Sequence, residues 1–206
     1  MSPRPYRLGQ RQAAVEETRA RIIGAARELL VAGGGFSGFT IDAVARQAGV
    51  ARMTVYYQFG SKRGLLEALF DSLAAGGGMR ELARAFQCPD PRDGLADFIA
   101  TFARFWGSDR LVMRRLRALA ALDPEVEEGV RGRDEWRRGG LQVIVRRLME
   151  AHGHPTPEAF DQVVDLLFTL TSFETFDTLA GTTRGPEAVA PVITATAFAV
   201  LERPPD

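Results

Sequence analysis

Residues 51–62 gather side chains that can donate, stack and carry charge within little more than three helical turns: Ala51-Arg52-Met53-Thr54, then Tyr56-Tyr57-Gln58, and Lys62. On a helix, Val55 and Phe59 are i, i+4 and turn inward together, which leaves Arg52, Met53, Thr54, Tyr56, Tyr57 and Gln58 outward. That chemistry suits a nucleic acid. Arg52 can fork onto guanine O6/N7, and Met53 and Thr54 can lie against a thymine methyl. Tyr56, Tyr57 and Gln58 can donate to phosphates, and Lys62 adds charge at a helix start, where backbone N–H groups already favour an anion. The same spacing also fits an ordinary three-helix bundle, in which the exposed tyrosines would be a protein contact.

Such side chains read bases only if short elements hold them out. Ile22, Ala26, Leu29 and Leu30 form one face of a helix over 16–32, and Gly33 to Gly35 end it. Thr40 is a good N-cap for a helix carrying Ile41, Val44, Ala45 and Ala48, which Gly49 closes. A helix over 52–59 follows the Gly49-Val50-Ala51 turn, giving a helix-turn-helix. Gly60-Ser61 breaks the chain again, and Ser61 can cap a fourth helix with Leu65, Leu66, Leu69, Phe70 and Leu73 on one stripe.

Residues 40–66, TIDAVARQAGVARMTVYYQFGSKRGLL, resemble the DNA-binding signature of TetR-type (tetracycline-repressor-like) transcriptional regulators. The matching pieces are Thr40, Ala45 with Ala48-Gly49-Val50, Thr54-Val55-Tyr56-Tyr57, Phe59, Ser61-Lys62 and Leu65-Leu66. The resemblance implies an all-α homodimer. Three helices form the DNA-binding head, a fourth leads to a ligand-binding body, and the last two build the dimer interface. It implies a reader of double-stranded DNA at an inverted-repeat operator, with Thr40, Ala51, Arg52, Met53, Thr54, Tyr56, Tyr57, Gln58 and Lys62 at the DNA. The departures from the pattern are Ala51 where Ser or Thr often caps the recognition helix, Gln58 where His is common, Gly64 in the first turn of the fourth helix, and Gly76 to Gly78.

The body is helical as well. Stripes predict helices over 93–108, 109–122, 124–151, 157–181 and about 187–201, for about nine in all. His152-Gly153-His154-Pro155 reads as a loop. The segment 188–201, AVAPVITATAFAVL, is uncharged on every face, so it needs burial on every side. That requires either a central place in a monomer core or a partner along the last two helices. The domain expectation is a basic arm at 1–14, a head at 15–62, and a helical ligand-binding and dimerisation body at 63–206. Phe102, Phe105, Trp106, Met113, Trp136, Phe168, Thr171 and Ser172 are the candidate pocket residues, although aromatics at helical spacing also make plain core. Ligand control is what the resemblance implies together with the aromatic-rich body. The absence of an obvious buried cation argues against a highly charged anion, and the apolar lining points to a small hydrophobic effector. Pressing on the fourth helix near Leu65 to Leu73, it would release the protein, a repressor, from its operator.

Charge and composition bound these readings. The 206 residues are 46% apolar and 25% charged, ordinary for a globular chain. Residues 1–63 carry ten basic and four acidic side chains, a net of +6, and the rest carries −6. A basic head on an acidic body fits a polyanion at one end. The arginines of 110–117 and 131–138, taken together, have Glu125, Glu127, Glu128, Asp134 and Glu135 among them and read as solvated, salt-bridged faces. Cys88 is the sole cysteine, which excludes an internal disulfide and fits a reducing, cytoplasmic setting. His152 and His154 without further ligands make no metal site, and no cofactor is expected. No apolar run reaches the ~20 residues of a membrane span. No G-x-S-x-G, H-E-x-x-H or Gly-Lys-Ser/Thr pattern is present, so the expectation is a protein that is not an enzyme. The alternative is a small helical enzyme or carrier of a lipid-like substrate.

Overall fold

Caps and good helix formers cut the chain where the sequence suggests, with four differences. The computed structural model describes residues 4–32, 38–150 and 156–202, with side chains from residue 9 onward. Among these residues all regular structure is helical: α1 (Arg4–Val31), α2 (Ile41–Gln47), α3 (Arg52–Phe59), α4 (Lys62–Gly76), α5 (Leu82–Gln87), α6 (Pro91–Ser108), α7 (Arg110–Ala120), α8 (Pro124–Glu150), α9 (Pro157–Leu170), α10 (Phe173–Ala180) and α11 (Ala190–Glu202). Short 3-10 turns precede α5 and α11. The glycine stop at Gly33 to Gly35 and the loop His152-Gly153-His154-Pro155 lie outside the described residues.

First, α1 begins at Arg4, so it takes in most of the segment expected as an arm. Residues 10–21, QRQAAVEETRAR, are almost all strong helix formers, and nothing among them stops propagation. Second, α5 separates α4 from α6. It buries Leu82 and Ala85, and Arg147 donates to the carbonyls of Phe86, Cys88 and Pro89 at its C-terminal end. Third, the helix expected over 157–181 is two. Thr171 donates back to the Leu167 carbonyl at 2.8 Å, and Ser172, in extended backbone, accepts the Thr175 N–H to cap α10. Hydroxyls that compete for backbone partners end helices in this way. Fourth, Pro186–Val189 forms a 3-10 turn, and α11 proper starts at Ala190.

The chain forms two compact units. The first comprises residues 1–72 and 114–129, and the second residues 73–113 and 130–206. In the first, α1 packs on α2 and α2 on α3. Ile22, Ala26, Leu30, Val44, Ala45, Val55, Leu65, Leu66, Leu69, Leu116 and Val126 are buried there. This unit therefore reaches past the 15–62 segment to include most of α4, the end of α7 and the first turns of α8. Gly49, at φ +64°, makes the left-handed turn between α2 and α3, a conformation that costs other residues more.

In the second unit α6 is central. It packs on α5, on α10, on the 3-10 turn before α11 and on α11 itself, and α9 packs on α11. Phe98, Ile99, Phe102, Trp106, Leu141, Ile144, Val164, Leu167, Phe176 and Ile193 are buried there. Arg110 fastens the end of α10: Nε pairs with Asp177, and the other nitrogens donate to the carbonyls of Asp177, Gly181 and Arg184. Cations at a helix C-terminus are favoured by its dipole. No described helix is long and apolar enough to cross a membrane.

Candidate nucleic-acid interface

α3 has one fully buried side chain. Val55 is fully buried, whereas Phe59 is half-buried under the Arg19 guanidinium, 4.5 Å from its ring centre. Arg19 also donates to the Gln58 carbonyl at 3.0 Å, so the C-terminal end of α3 is tied to α1. The outward face carries Arg52, Met53 and Tyr57, the last 87% exposed, with Thr54, Tyr56 and Gln58 at its flanks. Thr40 accepts the Ala43 N–H at 3.1 Å and caps α2. Ala51 sits at the N-cap of α3 in extended backbone with no side-chain cap.

Two of the cations expected to meet DNA have partners within the chain. Arg52 donates to Asp42 Oδ2 at 3.1 Å and to the Tyr56 hydroxyl at 3.2 Å, and both contacts are exposed. The Tyr56 hydroxyl first, then Asp42, push the Arg52 pKa further up. Lys62 pairs with Asp123 Oδ2, with only a fifth of each side chain exposed, and its ammonium lies 5.9 Å from the Phe39 ring centre. Burial pushes the Asp123 carboxyl up, but the bond and charge of Lys62 and the N–H groups of Val126 and Glu125 outweigh it, leaving the group below the usual carboxylate range. Next to Lys62, Arg63 bridges Glu67 at 3.0 Å and Glu128 at 2.6 Å.

Gly64 is required by its neighbours. A Cβ there would lie 2.0 Å from the Phe59 carbonyl oxygen, while the Gly64 N–H donates to Ser61 Oγ at 3.0 Å. The glycine that departs from the family signature thus lets the start of α4 close onto the end of α3.

Of the candidate pocket residues, the structure brings most together and turns one away. Phe102, Phe105 and Trp106 stack along α6, with ring centres 4.7 to 6.3 Å apart, and Phe173 meets Trp106 at 5.7 Å. Met113 is buried. Trp106 Nε1 donates to the Thr171 carbonyl at 3.1 Å, which ties the cluster to the break between α9 and α10 that Ser172 caps. Trp136 is 57% exposed and points away from the core.

The body does hold a buried cation, contrary to the sequence expectation. Arg137, 2% exposed, donates to the Phe168 carbonyl at 2.6 Å and to Thr171 Oγ1 at 2.7 Å. Its guanidinium lies 3.9 Å from the Phe168 ring centre and 3.4 Å from Asp134 Oδ1. Helical spacing places Arg137 among solvated arginines. Its burial depends on partners more than thirty residues away, which no local pattern reports. The sequence does not mark Asp42 and Asp123 as the partners of Arg52 and Lys62, although an acid at each of these helix starts is an expected cap or dipole partner.

Other chemistry finds little support. Burial, then Asp97 and Asp93, push the Cys88 thiol up, opposite to what a thiolate nucleophile needs. No group of metal-ligating side chains occurs among the described residues.

Comparison with known proteins agrees with this geometry. Residues 22–69 match the family model of bacterial regulatory proteins, tetR family. Over 60 residues the chain is 50% identical to the HTH-type transcriptional regulator SrpR of Pseudomonas putida and 47% identical to TtgW, an HTH-type transcriptional regulator of the same species. Those stretches cover 29% of this chain, 28% of the first relative and 44% of the second, so the match spans less than half of either. The whole fold is similar to solved structures. A transcriptional regulator from Rhodococcus sp. Rha1 superposes with a TM-score of 0.61 at 20% identity, covering 89% of this chain and 96% of that one. A TetR transcription regulator from Haloarcula marismortui reaches 0.65 at 18% identity, covering 92% and 98%. Residues 22–69 carry the sequence signature of the tetR family of bacterial regulatory proteins, and the chain as a whole carries a fold similar to those of the solved regulators.

Proposed function

We propose that this chain is a sequence-specific DNA-binding transcriptional regulator of the repressor kind. One observation carries the reading: a short helix presents Arg52, Met53 and Tyr57 outward from a helix-turn-helix, as a recognition helix presents side chains to a major groove. Residues 15–62 would read DNA, and 63–206 would bind effector and partner. Arg52 exchanges Asp42 for a base edge, and Tyr57 and Gln58 donate to phosphates beside it.

The reading includes a homodimer. α11 turns Ile193 and Ala197 into its own unit and leaves Val192, Ala195, Thr196 and Ala199 outward, with Val192 56% exposed. An uncharged face of small residues suits a second copy, and two-fold pairing matches an inverted-repeat operator. The effector is proposed as a small hydrophobic molecule received at the aromatic cluster of α6, near Phe102, Phe105, Trp106 and Thr171. The Nη1 and Nη2 groups of Arg137 are engaged by the Phe168 carbonyl, Thr171 and Asp134. The effector can weaken DNA binding only by preferring the non-binding arrangement.

The test is selection from random-sequence duplexes with the purified protein, followed by a screen of hydrophobic compounds for thermal stabilisation and operator release. Enrichment of an inverted repeat, and a stabilising compound that also releases it, support the reading. Turnover of a lipid-like substrate without any DNA preference would favour the rival enzyme or carrier.

A further inference from the structure

We infer that Asp123 is a built-in competitor for DNA: its carboxylate holds the Lys62 ammonium that would otherwise meet a DNA phosphate, and so limits affinity. The inference rests on the DNA-binding reading above.

Asp123 divides its two oxygens. Oδ1 caps α8, accepting the N–H groups of Glu125 at 3.0 Å and Val126 at 3.4 Å. Oδ2 takes Lys62. Cap and ion pair are therefore separable. The pair is not sealed in a core, since about a fifth of each side chain meets solvent, so the long lysine stem can swing out. When it leaves, α4 is not released. Arg63 stays bridged to Glu128, and Leu65, Leu66 and Leu69 stay buried. Lys62 is the first residue of α4, and two residues separate it from the end of the recognition helix at Phe59. A phosphate reached from there offers what Asp123 offers, an anionic oxygen acceptor, and the two cannot hold the ammonium equally well at once.

Asp123→Asn tests this, because asparagine caps a helix about as well as aspartate but no longer neutralises a lysine. Affinity is measured for the wild type, Asp123→Asn, Lys62→Ala and the double variant. Each is tested on a duplex selected by the wild type and on one of arbitrary sequence, over a range of salt. Phosphate contacts carry no sequence information, so the effect should appear on both duplexes. Asp123→Asn should tighten binding by about two- to tenfold at low salt, less as salt rises. Lys62→Ala should weaken binding and flatten the log–log salt slope by about 0.9. In the Lys62→Ala background, Asp123→Asn should have no effect.

A gain that persists without Lys62 would reflect only the removal of a negative charge and would overturn the inference. A fall in melting temperature with unchanged or weaker DNA binding would make the pair a strut and would also overturn it. Failure of the wild type to bind either duplex would overturn the DNA-binding reading itself, and the inference with it.

Discussion

Arg52 enters any DNA complex already occupied, shared between Asp42 and Tyr56. Exchanging those partners for a guanine edge keeps its charge satisfied, and the tyrosine contact pre-orients the fork. Arg52→Ala should lower affinity for the selected duplex about 5- to 150-fold and relax preference at one position per half-site. Competition binding against single-base operator variants measures both effects. Lys62→Ala should instead weaken all sequences alike. Ala51 leaves α3 without a side-chain cap. Ala51→Ser should therefore raise stability by about 1 kcal/mol, read from thermal or denaturant unfolding. Asp123 lies below its ordinary carboxylate range, so its contribution is present above the unfolded-state pKa and is lost as pH falls through the folded one. The stability gap between wild type and Asp123→Asn should hold at neutral pH and close below about pH 4.

At the scale of elements, the helix-turn-helix is legible because every boundary has a local cause: Thr40 caps α2, Gly49 turns, Ser61 caps α4. The break after Leu170 is not legible in the same way. Apolar residues at 163, 167, 170, 173 and 176 recur three or four apart through it, and only the hydroxyls of Thr171 and Ser172 decide otherwise. Lys62 shows a further gap: its type and place at a helix start are visible in the sequence, but its partner sixty-one residues on is set by the fold. Arg137 is the sharpest case, since a buried cation is stable only with all its partners in place. Arg137→Ala should cost about 3–5 kcal/mol, by removing the buried donor to the Phe168 carbonyl and Thr171 Oγ1. Arg137→Met, close in volume and uncharged, should cost less. Equal losses in the two would assign the effect to the lost charge and donors alone, with no contribution from packing.

For the whole molecule the decisive surfaces are α3 and the open face of α11. The uncharged segment 188–201 makes a need for further burial legible, and the structure buries only one of its faces within its own unit. Val192→Glu should convert a dimer into a monomer in sedimentation equilibrium with the helical signal intact, and should sharply lower affinity for an inverted repeat. Whether α3 reads DNA sequence is decided by equilibrium binding of the full chain to its selected duplex against an arbitrary one across salt. At least about a thousandfold preference for the selected inverted repeat and a steep negative salt slope are expected. No enriched sequence, and equal weak binding to both duplexes, would contradict sequence reading by α3.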